Sequence, residues 1–240
     1  MDYNQNHVTP PPPFYGNGVS VGQQTNAVLK RVYVRMFIGL LVSAFCALGV
    51  ASSETMRMIF GNQIVYWGMW IAMLVMAWVL PSRALRMSSG ACIGFFLLFS
   101  ALMGASLAPI FIVYKPETIA YTFFISAGTF GAMSVYGYFT KSDLTKFGTY
   151  LVMALFGLII ASIVNIFVAS NALDWVISIV GVLIFIGLTA WDTQQVKALA
   201  SANLDPHVAD RLATIGALNL YLDFINLFLF LLRIFGGNRD

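Results

Sequence analysis

Two aspartates, Asp192 and Asp223, stand inside apolar stretches long enough to cross a membrane, Trp175–Lys197 (WVISIVGVLIFIGLTAWDTQQVK) and Gly216–Phe235 (GALNLYLDFINLFLFLLRIF). A carboxylate in hydrocarbon costs on the order of 3 kcal/mol or more, so such residues are rare and face a partner or a wet cavity. Two of them on consecutive spans point to ion or proton chemistry. With Lys197 and Gly216 as the cytoplasmic boundaries, Asp192 lies five residues in and Asp223 seven, depths of roughly 8 and 10 Å at about 1.5 Å per residue. Consecutive spans run antiparallel, so the two carboxyls can meet at one level. In contact they cannot both ionise comfortably, and a shared proton or a bound cation would hold them together. When ionised they offer calcium the hard oxygen ligands it prefers, and two alone make the weak site that conduction requires.

Neighbouring residues admit several roles. Each aspartate could instead serve a local cap or hydrogen bond, Asp192 beside Thr193 and Gln194 and Asp223 between Leu222 and Phe224. Asn219 and Asn226 fall four before and three after Asp223 on roughly the same helical face, a polar stripe. That stripe suits either a central helix facing protein or water, or interhelical packing. Arg83 and Arg86 follow the second apolar run on the same side as the aspartates. A long arginine can reach inward to latch a carboxylate, or snorkel as a membrane anchor. Glu54, Glu117, Asp143, Asp174, Asp205 and Asp210 read as loop acids, and His207 among them is too loosely placed for a metal site. Cys46 and Cys92 read as buried apolar side chains.

These residues need a scaffold, and composition supplies it. The chain has 240 residues, 59% hydrophobic and 10% charged, which excludes an ordinary soluble domain. The net charge of +3 is scattered rather than clustered, so nucleic acid is not an expected partner. Residues Met1–Leu29, rich in Asn, Gln, Gly and Pro, read as a disordered cytoplasmic tail. The first apolar run follows it and is too long for an h-region, so no cleavable signal peptide is expected. From Lys30 to Asp240 seven apolar segments form one transmembrane domain: Tyr33–Ala51, Ile64–Leu80, Gly90–Val113, Ile119–Phe139, Phe147–Ala169, Trp175–Lys197 and Gly216–Phe235. Runs this long must be helices. The third, with Gly104 and Pro109, should bend or pack closely. Nine basic residues fall on one side of this arrangement and four on the other. That favours a cytoplasmic amino terminus and an external carboxyl terminus.

The segment Leu220–Gly236, LYLDFINLFLFLLRIFG, closely resembles the carboxyl-terminal signature of the Bax inhibitor motif family. Ala190–Val196, AWDTQQV, resembles that family's other aspartate motif, with Trp191 where a tyrosine is common. The resemblance runs from about Lys30 onward and suits a bacterial member in the inner membrane. It implies an all-α membrane protein with six helices packed around a central seventh, carboxyl-terminal helix. It also implies an aspartate pair gating a pH-dependent calcium leak, matched here by Asp192 and Asp223. The family's second-span arginine latch matches Arg83, with Arg86 as the alternative. No cofactor is implied beyond calcium as the transported ion, and the protein is not expected to be an enzyme.

The leading reading is thus a pH-sensitive calcium leak channel or cation/proton exchanger. A second is a membrane-embedded regulator of other membrane proteins such as a membrane protease, with the Met1–Leu29 tail as docking element. An intramembrane aspartyl protease would carry Gly-x-Gly-Asp at its second aspartate; here Tyr221-Leu222-Asp223 stands instead. A retinal pigment is excluded because the seventh span contains no lysine.

Overall fold

The computed structural model describes residues 21–202 and 204–236, with side chains from Thr25 onward, and every regular element among them is helical. In chain order these are α1 (Val21–Ser52), α2 (Glu54–Gly61), α3 (Gln63–Arg83), a 3-10 turn (Ala84–Arg86), α4 (Ser89–Leu107), α5 (Ile110–Val113), α6 (Pro116–Phe139), α7 (Thr145–Val168), α8 (Asn171–Ser201) and α9 (Pro206–Phe235). Seven stretches are long and apolar enough to cross a membrane, α3 counted with its 3-10 turn and α4 with α5. This is an all-α membrane protein. Hydrocarbon offers the backbone no partners, so only internally hydrogen-bonded helices satisfy it there.

Polar residues end the helices where the apolar runs stop. Ser53, Asn62, Ser88, Ser170 and Asp205 each accept a hydrogen bond from the first turn of the helix they precede. Pro116 and Pro206 occupy first helical positions, where the missing N–H costs nothing.

Two boundaries differ from the sequence expectation. The first helix begins at Val21, not Lys30; Val28 and Leu29 are buried and Thr25 bonds the Ala200 carbonyl, so residues 25–29 belong to the bundle. The remaining tail, residues 1–20, lies outside the described residues. The connection after the sixth span is also far shorter than the polar stretch suggested, because α8 continues to Ser201 and α9 starts at Pro206. Both extensions are more polar than the spans they prolong yet remain helical, and hydropathy senses only the apolar run, not the helix.

The third span breaks between Leu107 and Ile110, at Pro109, as its composition predicted. It also packs closely. A Cβ on Gly104 would lie 2.2 Å from the Ser43 carbonyl oxygen, so only glycine lets α4 and α1 approach this far.

Helix α9 is the most buried span, with 67% of its most apolar window enclosed, and it touches α1, α4, α6, α8 and the 3-10 turn. Helix α7 lies outermost, 11% buried over the same measure, and packs on α8. Its exposed Ile166 and Phe167 are what a lipid-facing surface requires.

Candidate ion site

Helices α8 and α9 pack antiparallel, with two glycines at their contact. A Cβ on Gly216 of α9 would meet Val196 of α8, and one on Gly181 of α8 would meet the Phe230 ring of α9. Asp192 lies four residues from Val196 toward the second contact, and Asp223 lies seven from Gly216. At about 1.5 Å per residue both sit roughly 6–10 Å from the first contact, hence at one level. The side chains interact directly across the helix pair. The sequence boundaries Lys197 and Gly216 are not helix ends, yet they mark this shared level within one residue.

Burial treats the two carboxyls differently. Asp223 is 4% exposed, whereas Asp192 is half-buried. Asp223 Oδ2 is buried and receives no hydrogen bond from any described donor. The ion pairs among the described residues join Arg31 and Arg35 to Asp210 and Arg233 to Asp174; none involves the aspartate pair. Two facing carboxyls without a basic partner need a proton between them or a cation. No group of three or more His, Cys, Asp or Glu side chains gathers among the described residues. A cation here would therefore be held by these two carboxyls with water or carbonyls completing its shell, a weak site.

The surroundings are rigid. Tyr221, fully buried two residues before Asp223, hydrogen-bonds Ser43 of α1 at 2.7 Å and meets the Phe96 and Phe99 rings of α4 edge-on. Ser43 Oγ is also 2.7 Å from the Ser100 carbonyl, so three helices converge on one hydroxyl pair. Tyr221→Phe should lower stability by about 1–2 kcal/mol, the value of one buried hydrogen bond, read as a lower unfolding temperature in detergent. Beside Asp192, Thr193 pairs with the Tyr33 hydroxyl of α1 at 3.4 Å. Trp191 lies directly on Gly148 of α7, where a Cβ would be 2.2 Å from the indole.

The structure does not bring the other expected residues to the pair. Arg83 and Arg86 are exposed at the end of α3 and in the 3-10 turn, with no ion pair among the described residues. A latch from either is therefore not seen; both stand where basic residues anchor a helix at the membrane border. Asn219 is exposed, and Asn226 is half-buried with its amide donating to the Leu222 carbonyl of its own helix at 2.8 Å. The polar stripe of α9 thus faces outward rather than into the bundle.

Sequence reasoning missed a clasp one end of the bundle depends on. Arg35 of α1 reaches Asp210 of α9 at 2.6 Å and also bonds the Asp210 carbonyl and the Thr214 hydroxyl, with Arg31 3.5 Å from the same carboxyl oxygen. Asp210 passed for a loop acid because α9 was expected to begin at Gly216. Its spacing from Thr214, Ala217 and Tyr221 places it on the buried face of one continuous helix, and that periodicity was the available signal. The pair is 13% and 20% exposed, so Arg35→Ala should cost about 1–3 kcal/mol, less than a fully buried pair. Thermal unfolding of Arg35→Ala beside Arg31→Ala, whose contact is longer and more exposed, checks the difference.

Arg211 likewise donates to the Leu85 and Met87 carbonyls, tying α9 to the 3-10 turn. Asp143, in the connection before α7, accepts hydrogen bonds from Thr145 that hold its carboxyl below the usual carboxylate range. It stays ionised near neutrality, so a pH response there has to come from elsewhere.

The comparisons with known proteins agree with this architecture. The sequence model of the family described as "Inhibitor of apoptosis-promoting Bax1" matches residues 25–240. The inner membrane protein YbhL of Escherichia coli K12 is 46% identical over 214 residues, covering 88% of this chain and 92% of that protein. A protein of Borreliella burgdorferi is 44% identical over 217 residues, covering 90% and 94%. A membrane protein of Streptococcus pyogenes is 38% identical over 216 residues, covering 89% and 93%. The residues matched by the family model take in both aspartates and the seven spans, and the chain belongs to the Bax inhibitor family of integral membrane proteins.

Proposed function

We propose that this protein is a pH-sensitive cation leak, with calcium among the ions it passes, gated by Asp192 and Asp223. The observation that carries the reading is the buried, facing carboxyl pair with no basic partner among the described residues. A structural ion pair would have its cation in the protein; here that place is open to a proton or a metal ion. A proton and calcium compete for the same oxygens, which makes flux depend on pH. Tyr33 and Lys197, titratable groups on elements around Asp192, both have other partners: Thr193 for the tyrosine, the Tyr138 carbonyl and ring for the lysine. The pair itself is the switch, without an arginine latch, and the protein moves an ion rather than transforming a substrate.

Orientation follows from charge. Of the basic residues among the described ones, nine lie at the bundle end where α9 begins and three, Arg57, Lys115 and Arg233, at the other. That end is cytoplasmic by the positive-inside rule, with the carboxyl terminus outside. The membrane is the bacterial inner membrane, in keeping with the name of the Escherichia coli relative.

Purified protein sealed in liposomes with a trapped calcium dye tests the reading. Uptake should exceed that of empty liposomes and vary between about pH 5 and pH 8, and Asp192→Asn should change it by about tenfold, or about 1.4 kcal/mol. Uptake indistinguishable from empty liposomes across that range would sink it.

A further inference from the structure

From Ala213 to Leu232 every residue of α9 is buried except Ile215, Asn219, Leu222, Asn226, Leu229 and Phe230. Phe230 is covered in part by the Phe185 ring of α8, stacked at 5.9 Å. The other five repeat at intervals of four, three, four and three residues, which is one face of an α-helix. Arg233 continues the series and is exposed. The stripe from residue 215 to residue 233 rises through 18 residue steps, or about 27 Å at about 1.5 Å per step, close to the hydrocarbon thickness of about 30 Å. The most buried helix therefore has one less covered face, half-buried along its length and exposed at Asn219 and Arg233.

Its chemistry does not suit lipid. Asn219 is exposed and makes no hydrogen bond among the described residues; Asn226 donates only to its own helix. In hydrocarbon an amide left so costs several kcal/mol, and such residues turn inward. The lipid-facing helix α7 shows the contrast, with Ile159, Ile163, Ile166 and Phe167 exposed in its outer half. The two amides also flank Asp223 by one turn on either side, and Asp192, across from it, is only half-buried. Asp223, one turn from each amide, keeps one buried oxygen without a donor.

We propose that this half-buried face of α9 borders a water-filled groove that supplies the aspartate pair with cations, Asn219 and Asn226 being its polar steps on either side of Asp223. The groove rests on the leak reading for its purpose but not for its existence. Water satisfies both amides. Leu222 and Leu229 interrupt the polar steps, so the groove narrows to apolar zones on each side of Asn226, which suits a leak rather than an open pore. Arg233, paired with Asp174 at 3.3 Å, stands at the far end.

Single cysteines placed at Asn219, Leu222 and Asn226, in a chain with Cys46→Ala and Cys92→Ala, test this in liposomes with a membrane-impermeant, positively charged thiol reagent. Ile166→Cys on α7 is the lipid-facing control. Only a thiolate reacts, and it forms in water, not in hydrocarbon, so Asn219→Cys and Asn226→Cys should label at least about tenfold faster than Ile166→Cys. Leu222→Cys on the same stripe keeps the test open if an asparagine variant fails to fold. Labelling only by a lipophilic maleimide would make the stripe a lipid contact and overturn the groove. A disulfide between two Asn219→Cys chains would make it a face for a second copy and overturn it equally. Rapid labelling in a protein that passes no calcium would support the groove and sink the leak.

Discussion

Asp223→Asn abolishes the pH dependence of calcium uptake and lowers uptake at its optimum by at least about tenfold, which corresponds to about 1.4 kcal/mol. The substitution is nearly isosteric, so packing around the buried side chain survives. What changes is chemistry: an amide neither takes up the shared proton nor offers a charged oxygen to calcium. With one carboxyl left, Asp192 has no like neighbour to titrate against, and the coupled response disappears. Unfolding in detergent should occur no earlier than in the wild type, because removing a carboxyl that lacks a basic partner relieves a cost. Reduced uptake with an unchanged unfolding temperature isolates the ionic role from a folding role. An unaltered pH profile in this variant would mean that the pair is not the sensor.

Gly137→Val should be among the most destabilising single changes in the bundle, with a change at Gly104 its equal. Gly137 lies where α6 crosses α8, and a Cβ there would stand 2.2 Å from the Ala190 carbonyl oxygen. That oxygen is backbone in the middle of a helix, so it cannot swing aside as a side chain would; the helices must separate. Overpacking costs about 1–3 kcal/mol, and the branched valine adds to the upper end. For a chain of this length that is a fall of roughly 5–10 °C in unfolding temperature. Ala190 is two residues from Asp192, so uptake should fall with stability. Gly131→Ala on the same helix has nothing within 4 Å of its new Cβ and should instead gain up to about 1 kcal/mol from helix propensity. Equal unfolding temperatures for the two variants would show that α6 and α8 do not cross as described.

The legible part of the fold is the part the bilayer dictates. Seven apolar runs of membrane length became seven spans, and Gly104 and Pro109 marked both the close contact and the break of the third. Hydropathy could not show where helices continue past the membrane. Polar residues at the end of α8 and the start of α9 read as loop, so Asp210 lost its place opposite Arg35. The aspartates were legible as candidates because two charges in apolar runs at matching depth leave few explanations, and the two helices that carry them pack on each other. The arginine latch had no such support, since reach from a helix end depends on side-chain direction that spacing does not encode; Arg83 and Arg86 are exposed and form no ion pair among the described residues. The asparagines lay on one face as expected, but which way that face turned depended on where α1, α4, α6 and α8 packed. Residues that meet across helices, such as Ser43 and Tyr221, carry no local signal at all.

The most direct measurement is a double-mutant cycle on calcium uptake in liposomes, with Asp192→Asn, Asp223→Asn and both together. Two carboxyls acting as one gate give losses that do not add: the double variant should lose no more than either single one, within about 0.5 kcal/mol. Losses that multiply, each variant retaining its own share of pH dependence, would mean two independent sites and contradict a shared gate.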